Sequence, residues 1–133
     1  MAVEPDAAQL EEITALAGSP EDGPLVMLNL NRYRDREAYG RYGEVAMRVL
    51  EKVGGRILWY APAESVVVGE ARDSYDEVIA VWYPSAAAFV ALATDPETLA
   101  ARDSRLDGLE RATLIRCQAG DEPVLGVGNG NGA

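Results

Sequence analysis

The breaks between apolar and polar runs divide this chain into regular elements. Residues 5–17, PDAAQLEEITALA, carry Leu10, Ile13, Leu16 and Ala17 at helical spacing. GSPEDGP at 18–24 stops that helix with glycine and proline. A strand is expected over 25–33, VMLNLN at its heart. Asp35 is placed to cap a helix in which Tyr39, Tyr42, Ala46, Val49, Leu50 and Val53 recur up to Gly54-Gly55. RILWY (56–60) and ESVVVGE (64–70) read as one strand kinked at Pro62. EVIAVWY (77–83) is a further strand. Pro84-Ser85 opens a helix bearing Phe89, Val90 and Leu92, and Asp95-Pro96 restarts it through about residue 108. ERATLIRC (110–117) is the last strand, and the tail GDEPVLGVGNGNGA is expected to stay loose, at least beyond Leu125.

The order is a helix followed by β-α-β-β-α-β, which is the ferredoxin-like α+β arrangement of an antiparallel sheet with helices on one face. The expected division is 1–23 for the leading helix and linker, 24–118 for the ferredoxin-like domain, and 119–133 for the tail. Alternation sends Val78, Ala80 and Trp82 to one face of the third strand, and Ile79, Val81 and Tyr83 to the other. Similarly, Ile57 and Trp59 oppose Leu58 and Tyr60. Strands apolar on both parities are buried on both faces, yet the helices cover only one. A second copy of the chain is the economical cover, so a homodimer joined through its sheet faces is expected, with Val81 or Trp82 facing the partner.

Composition narrows the function. At 133 residues and 48% apolar content, one domain with one core is expected. Twelve basic and 22 acidic residues give a formal charge of −10, which argues against a nucleic-acid partner and against docking on anionic membrane. No apolar run approaches the roughly 18 residues of a membrane span. The start, MAVEPDAAQLEE, lacks the features of a signal peptide, and Cys117 is alone, so a reducing cytoplasm is the expected location. Histidine is absent, which removes histidine-ligated haem, histidine-bearing zinc sites, Ser-His-Asp triads and Cys-His pairs from consideration. No cofactor and no metal are therefore expected, and acid–base chemistry falls to Asp, Glu, Tyr, Arg, Lys52 or water. GVGNGNG in the tail follows the last strand with no helix after it, so it fails as a dinucleotide loop.

Three stretches, PLVMLNLNRYRDREAYGRYGEVAMRVLEKVGGRILWY, YDEVIAVWYPSAAAFVALATDPE and RLDGLERATLI, resemble the domain of unknown function 1330 family over residues 24–117. That resemblance implies membership of the dimeric α/β-barrel superfamily. It also implies a range of activities: cofactor-independent monooxygenases on aromatic polyketides, polyketide cyclases, haem-degrading enzymes, muconolactone isomerase-like proteins, and members without known activity. Relatives often carry histidine before the arginine matching Arg105, where this chain reads Asp103-Ser104-Arg105.

Candidate site residues follow. Asn29 matches the family's LN position; it either bonds a neighbouring loop or orients a ligand carbonyl or phenol, while Asn31 reads as a strand-end residue. Tyr39 and Tyr42 lie on an apolar helix stripe, as core residues or as cavity-wall donors. Trp59 and Trp82 are core or interface residues, or stacking walls for a planar substrate. Arg105 could hold a carboxylate or enolate by a forked contact, with Arg56 a second cation. Glu70 and RDSYDE (72–77) read as an ordinary acidic turn. Two functions are carried forward. One is a cofactor-independent cyclase, isomerase or monooxygenase on an aromatic or polyketide-like substrate, with Asn29 and Arg105 polarising a carbonyl and Tyr33 or Tyr42 moving a proton. The other is a non-catalytic ligand-binding or stress-related dimer.

Overall fold

Four of the five α-helices described start at a side chain that accepts backbone N–H groups left free there. In the computed structural model, which describes residues 2–119, Asp6 caps α1 (Ala7–Leu16) in a reciprocal box with Gln9. Asp35 accepts from Glu37 and Ala38 at the head of α2 (Arg36–Lys52). Ser85 accepts from Ala88 to open α3 (Ala86–Thr94). Asp95 accepts from Glu97 to open α4 (Pro96–Ala100), with proline in its first turn. Helix α5 (Arg102–Gly108) follows from Ala101 without a side-chain cap, so the segment expected as one helix is broken there.

Strands β1 (Leu25–Tyr33), β2 (Arg56–Pro62), β3 (Glu77–Tyr83) and β4 (Leu109–Gln118) form one sheet in the order β2-β3-β1-β4. Every pairing is antiparallel. The α+β ferredoxin-like reading of the sequence is therefore the observed fold, with α1 added in front and lying against α3.

Residues directly opposite across an antiparallel pair share a face. Leu25, Met27, Val81 and Tyr83 pack with Val49, Leu50, Ala86 and Leu92 in the core beneath the helices. Val26, Ala80 and Trp82 cluster on the opposite face with Leu28, Leu58 and Cys117. Of Val81 and Trp82, then, only Trp82 belongs to the face without helices.

Two glycines permit close approaches. A Cβ on Gly55 would stand 2.2 Å from the Leu50 side chain, and one on Gly108 would stand 2.5 Å from the Tyr39 nitrogen. The second contact seats α5 on α2. It also lets the Gly108 carbonyl accept from Arg34 and Asp35 (2.7 and 3.1 Å), tying the end of α5 to the start of α2.

Two expectations about strand β2 are corrected. Residues 64–70 form no strand: β2 pairing ends at Pro62 opposite Glu77, where β3 begins, and Val67 and Val68 are 91% and 93% exposed. Three valines have high strand propensity, but propensity without a neighbouring strand to bond does not make one. The chain returns instead through a single 3-10 turn, Ala71–Asp73. The register also shifts between Ile57 and Trp59, so Ile57 and Tyr60 oppose the helix-face residues Val81 and Ile79, while Trp59 opposes Ala80. A bulge inserts one residue and moves everything after it to the other parity, which simple alternation misses. The tail beyond residue 119 lies outside the described residues.

Candidate functional site

At the end of the helix-covered face, where β1 leaves the sheet, the core turns polar. Asn31 and Glu77 are directly paired across β1 and β3, and they are only 2% and 4% exposed. Asn31 Nδ2 donates to Glu77 Oε2 at 2.8 Å and to the Tyr39 hydroxyl at 3.0 Å. The Tyr33 hydroxyl donates to Glu77 Oε1. A buried carboxylate is costly unless donors surround it, and here both oxygens are taken.

From this carboxylate a row of rings runs along α2. Tyr33 and Tyr39 have centroids 5.8 Å apart, as do Tyr39 and Tyr42. The Arg105 guanidinium lies 5.8 Å from the Tyr42 centroid and ends the row, and the Arg36 guanidinium stands 5.5 Å from the Tyr33 ring at the other end. Arg105 also donates to the Val3 carbonyl, while Glu4 takes a forked pair of bonds from Arg102 at 2.8 and 2.9 Å. The segment before α1 is thus fastened over α5.

Burial raises the pKa of all three tyrosines. In Tyr33 the hydrogen bond to Glu77 and that group's charge add to the effect. In Tyr39 the charge of Glu77 adds to burial, whereas Arg105 and the bond to Asn31 oppose it. In Tyr42 burial outweighs the opposing pull of Arg105. These phenols keep their protons through the physiological range, which suits donors and relays rather than phenolate bases.

The expected site residues divide sharply. Tyr33, Tyr39, Tyr42 and Arg105 are brought together. Asn29 shares their face, but its amide donates to the Met27 carbonyl on its own strand at 3.0 Å. Trp59 and Trp82 lie across the sheet on the face without helices. Arg56, whose guanidinium donates to the Gly55 carbonyl, borders a surface groove of about 420 Å³ with Met47, Glu51 and Ile57. A second groove, of about 300 Å³, lies between Leu16, Glu21 and Cys117. Neither groove reaches the tyrosine row, because its polar groups are packed against one another.

Sequence reasoning read Asn31 as a strand-end residue and Glu77 as part of an acidic turn, and missed their buried pairing. The signal was present in the alternation of β3, where Glu77 is in phase with Ile79, Val81 and Tyr83 and so must enter a mostly apolar face.

Comparison with known proteins places this chain in a family. A structure of a protein of unknown function from Rhodopseudomonas palustris is 32% identical, covering 86% of this chain and 94% of that one, with a TM-score of 0.77. More distant is a DABB family protein with a ferredoxin-like fold from Mesorhizobium loti, at 14% identity, 71% and 94% coverage and a TM-score of 0.49. A protein from Bacteroides thetaiotaomicron, provisionally assigned as an antibiotic biosynthesis monooxygenase, is 19% identical, with 80% and 97% coverage and a TM-score of 0.49. No curated protein matches the sequence. The family described as domain of unknown function (DUF1330) matches residues 25–116, most of the sheet and all the residues of the tyrosine row, and this chain belongs to it.

Proposed function

We propose that this protein is a cofactor-independent enzyme of the isomerase or cyclase type, moving a proton on an aromatic or polyketide-like carbonyl compound in the cytoplasm. The observation that supports this reading is the Glu77 carboxylate, held between Asn31 and Tyr33 at the head of a tyrosine row that ends on Arg105. A carbon acid docked against the half-buried Tyr33 gives its proton toward Glu77 through the Tyr33 hydroxyl, which releases its own to the carboxylate. The resulting enolate is matched by the Arg36 guanidinium, 5.5 Å from the Tyr33 ring, and return of the proton to a different carbon completes an isomerisation. Flat aromatic substrates suit a wall of three rings.

The test is proton exchange on benzoylacetone, an aromatic 1,3-diketone, followed by NMR in deuterated water. The wild-type protein is expected to accelerate exchange, and Glu77→Gln to abolish the acceleration while melting at nearly the same temperature. Exchange no faster than with buffer alone, from a folded protein, sinks the proposal. The mutual satisfaction of Asn31, Glu77, Tyr33 and Tyr39 supports the competing reading, a non-catalytic ligand-binding dimer in which the cluster is architecture, and that result would favour it.

The assembly proposed is a homodimer through the faces without helices. Trp59 and Ile115 are exposed there beside Leu28 and Leu58, a continuous apolar surface that a second copy would cover. Sedimentation at micromolar concentration reads the state directly, and a monomer overturns this assembly.

A further inference from the structure

On the face opposite Glu77, Arg32 and Arg111 are paired directly across β1 and β4. Like charges placed opposite one another in a sheet repel. In a chain of net charge −10, such a pair has many acidic residues it could have been given. Yet no carboxylate lies within ion-pair distance of Arg32 among the described residues, and Arg111 has only the half-exposed Glu110 at 3.8 Å. Both guanidiniums instead converge on one residue. Arg32 Nη1 donates to the Ser74 hydroxyl at 3.3 Å, and Arg111 Nη2 to the Ser74 carbonyl and, at 3.5 Å, to that hydroxyl.

A second, independent observation concerns Arg111 itself. Its side chain is buried (8% exposed for the residue), lies 4.8 Å from the Tyr75 ring centroid, and keeps an Nε donor with no hydrogen-bond partner among the described residues. Buried guanidinium donors are almost always satisfied, and a buried cation needs a counter-charge. The Tyr75 hydroxyl and Thr113 Oγ1, 2.7 Å apart, bring two more hydroxyls to the same corner. Cations, hydroxyls and an orphaned donor together make a site short of one component, an anion.

We propose that Arg32, Arg111 and Ser74 form a binding notch for a small oxyanion, a carboxylate or phosphate group, at the rim of the open sheet face. Arginine forks match such groups in both charge and shape, and the half-buried Arg32 is the accessible edge of the notch. The site is separate from the Glu77 cluster and does not depend on the reading given for it, since the sheet lies between them.

The test compares thermal melting of the full chain in sodium phosphate, sodium acetate and sodium chloride at matched ionic strength. Phosphate or acetate is expected to raise the melting temperature saturably, with half-effect on the order of millimolar, the range of modest single-site affinities. Whichever of the two acts at lower concentration identifies the preferred class. Arg32→Gln should cross over: as stable as wild type or more so in dilute chloride, where the repulsion is relieved, and less stable than wild type in the effective anion, with a response weakened at least about tenfold. Arg111→Gln would confirm the second cation if it folds; Arg32→Gln and Ser74→Ala carry the test if it does not. Equal responses to phosphate, acetate and chloride, or an unchanged response in Arg32→Gln, overturns the notch. So does phosphate dissociating a dimer that Arg32→Gln also dissociates, because the anion would then be a carboxylate of a second copy.

Discussion

One sheet presents two faces built from alternate residues of the same strands, and they solve polarity in opposite ways. Beneath the helices, Asn31, Glu77, Tyr33 and Tyr39 bond one another, so the polar end of that face is complete within one chain. On the other face, Trp59 and Ile115 remain exposed, and among the described residues the Arg32–Arg111 pair has only the half-exposed Glu110 in ion-pair range. A self-satisfied network rigidifies a core, whereas unsatisfied apolar area and charge point outward to something that binds.

The difference is broken most severely by placing the same charge on each face. Val81→Glu puts a carboxylate into the apolar core beneath the helices with no donor near it, at a cost of about 3–5 kcal/mol, enough to leave much of the chain unfolded in a circular-dichroism melt. Ile115→Glu, on the exposed face, should shift folding by no more than about 0.5 kcal/mol and act on sedimentation instead. Comparable destabilisation by both substitutions would show that the faces are not distinct.

A smaller effect sharpens the polar end. Glu77→Leu strands the Tyr33 hydroxyl and half of the Asn31 amide, and is expected to lower stability by about 1–3 kcal/mol in urea titration. Asn29→Leu, which removes a single amide bond within its own strand, should be neutral or mildly stabilising. If the two cost the same, the cluster contributes nothing beyond ordinary packing.

The smallest expected effect depends on pH. Burial pulls the Asp22 carboxyl upward, but N–H groups of Gly18, Ala86, Ala87 and Gly23 outweigh it and hold the carboxyl below its usual 3.8. With the folded value depressed, the contribution is fully present above the unfolded value. It is lost as pH falls through the folded one. Asp22→Ala should therefore cost about 1 kcal/mol at neutral pH, as for a lost helix cap, and the gap to wild type should close below that range. A gap that persists to the lowest pH at which both proteins fold would refute this account.

The elements were legible because their determinants are local. Caps at Asp35, Ser85 and Asp95 and alternation in β1 and β3 each lie within a few residues of what they control. The β2 region was misread at both ends for a common reason. Whether Val66, Val67 and Val68 join a sheet depends on a partner strand, and the parity of Trp59 depends on a bulge set by pairing with β3.

For the site, composition and spacing fixed which chemistry was available: no histidine, a single cysteine, and tyrosines at helical spacing on α2 with an arginine downstream. Tertiary structure alone decided which groups meet. Asn29 and Asn31 differ by two positions on one strand, yet only Asn31 faces Glu77, because the β1–β3 register pairs those two and pairs Asn29 with Ile79. That register joins residues 46 positions apart in the chain, and it is set by the packing of the whole face rather than by any local pattern.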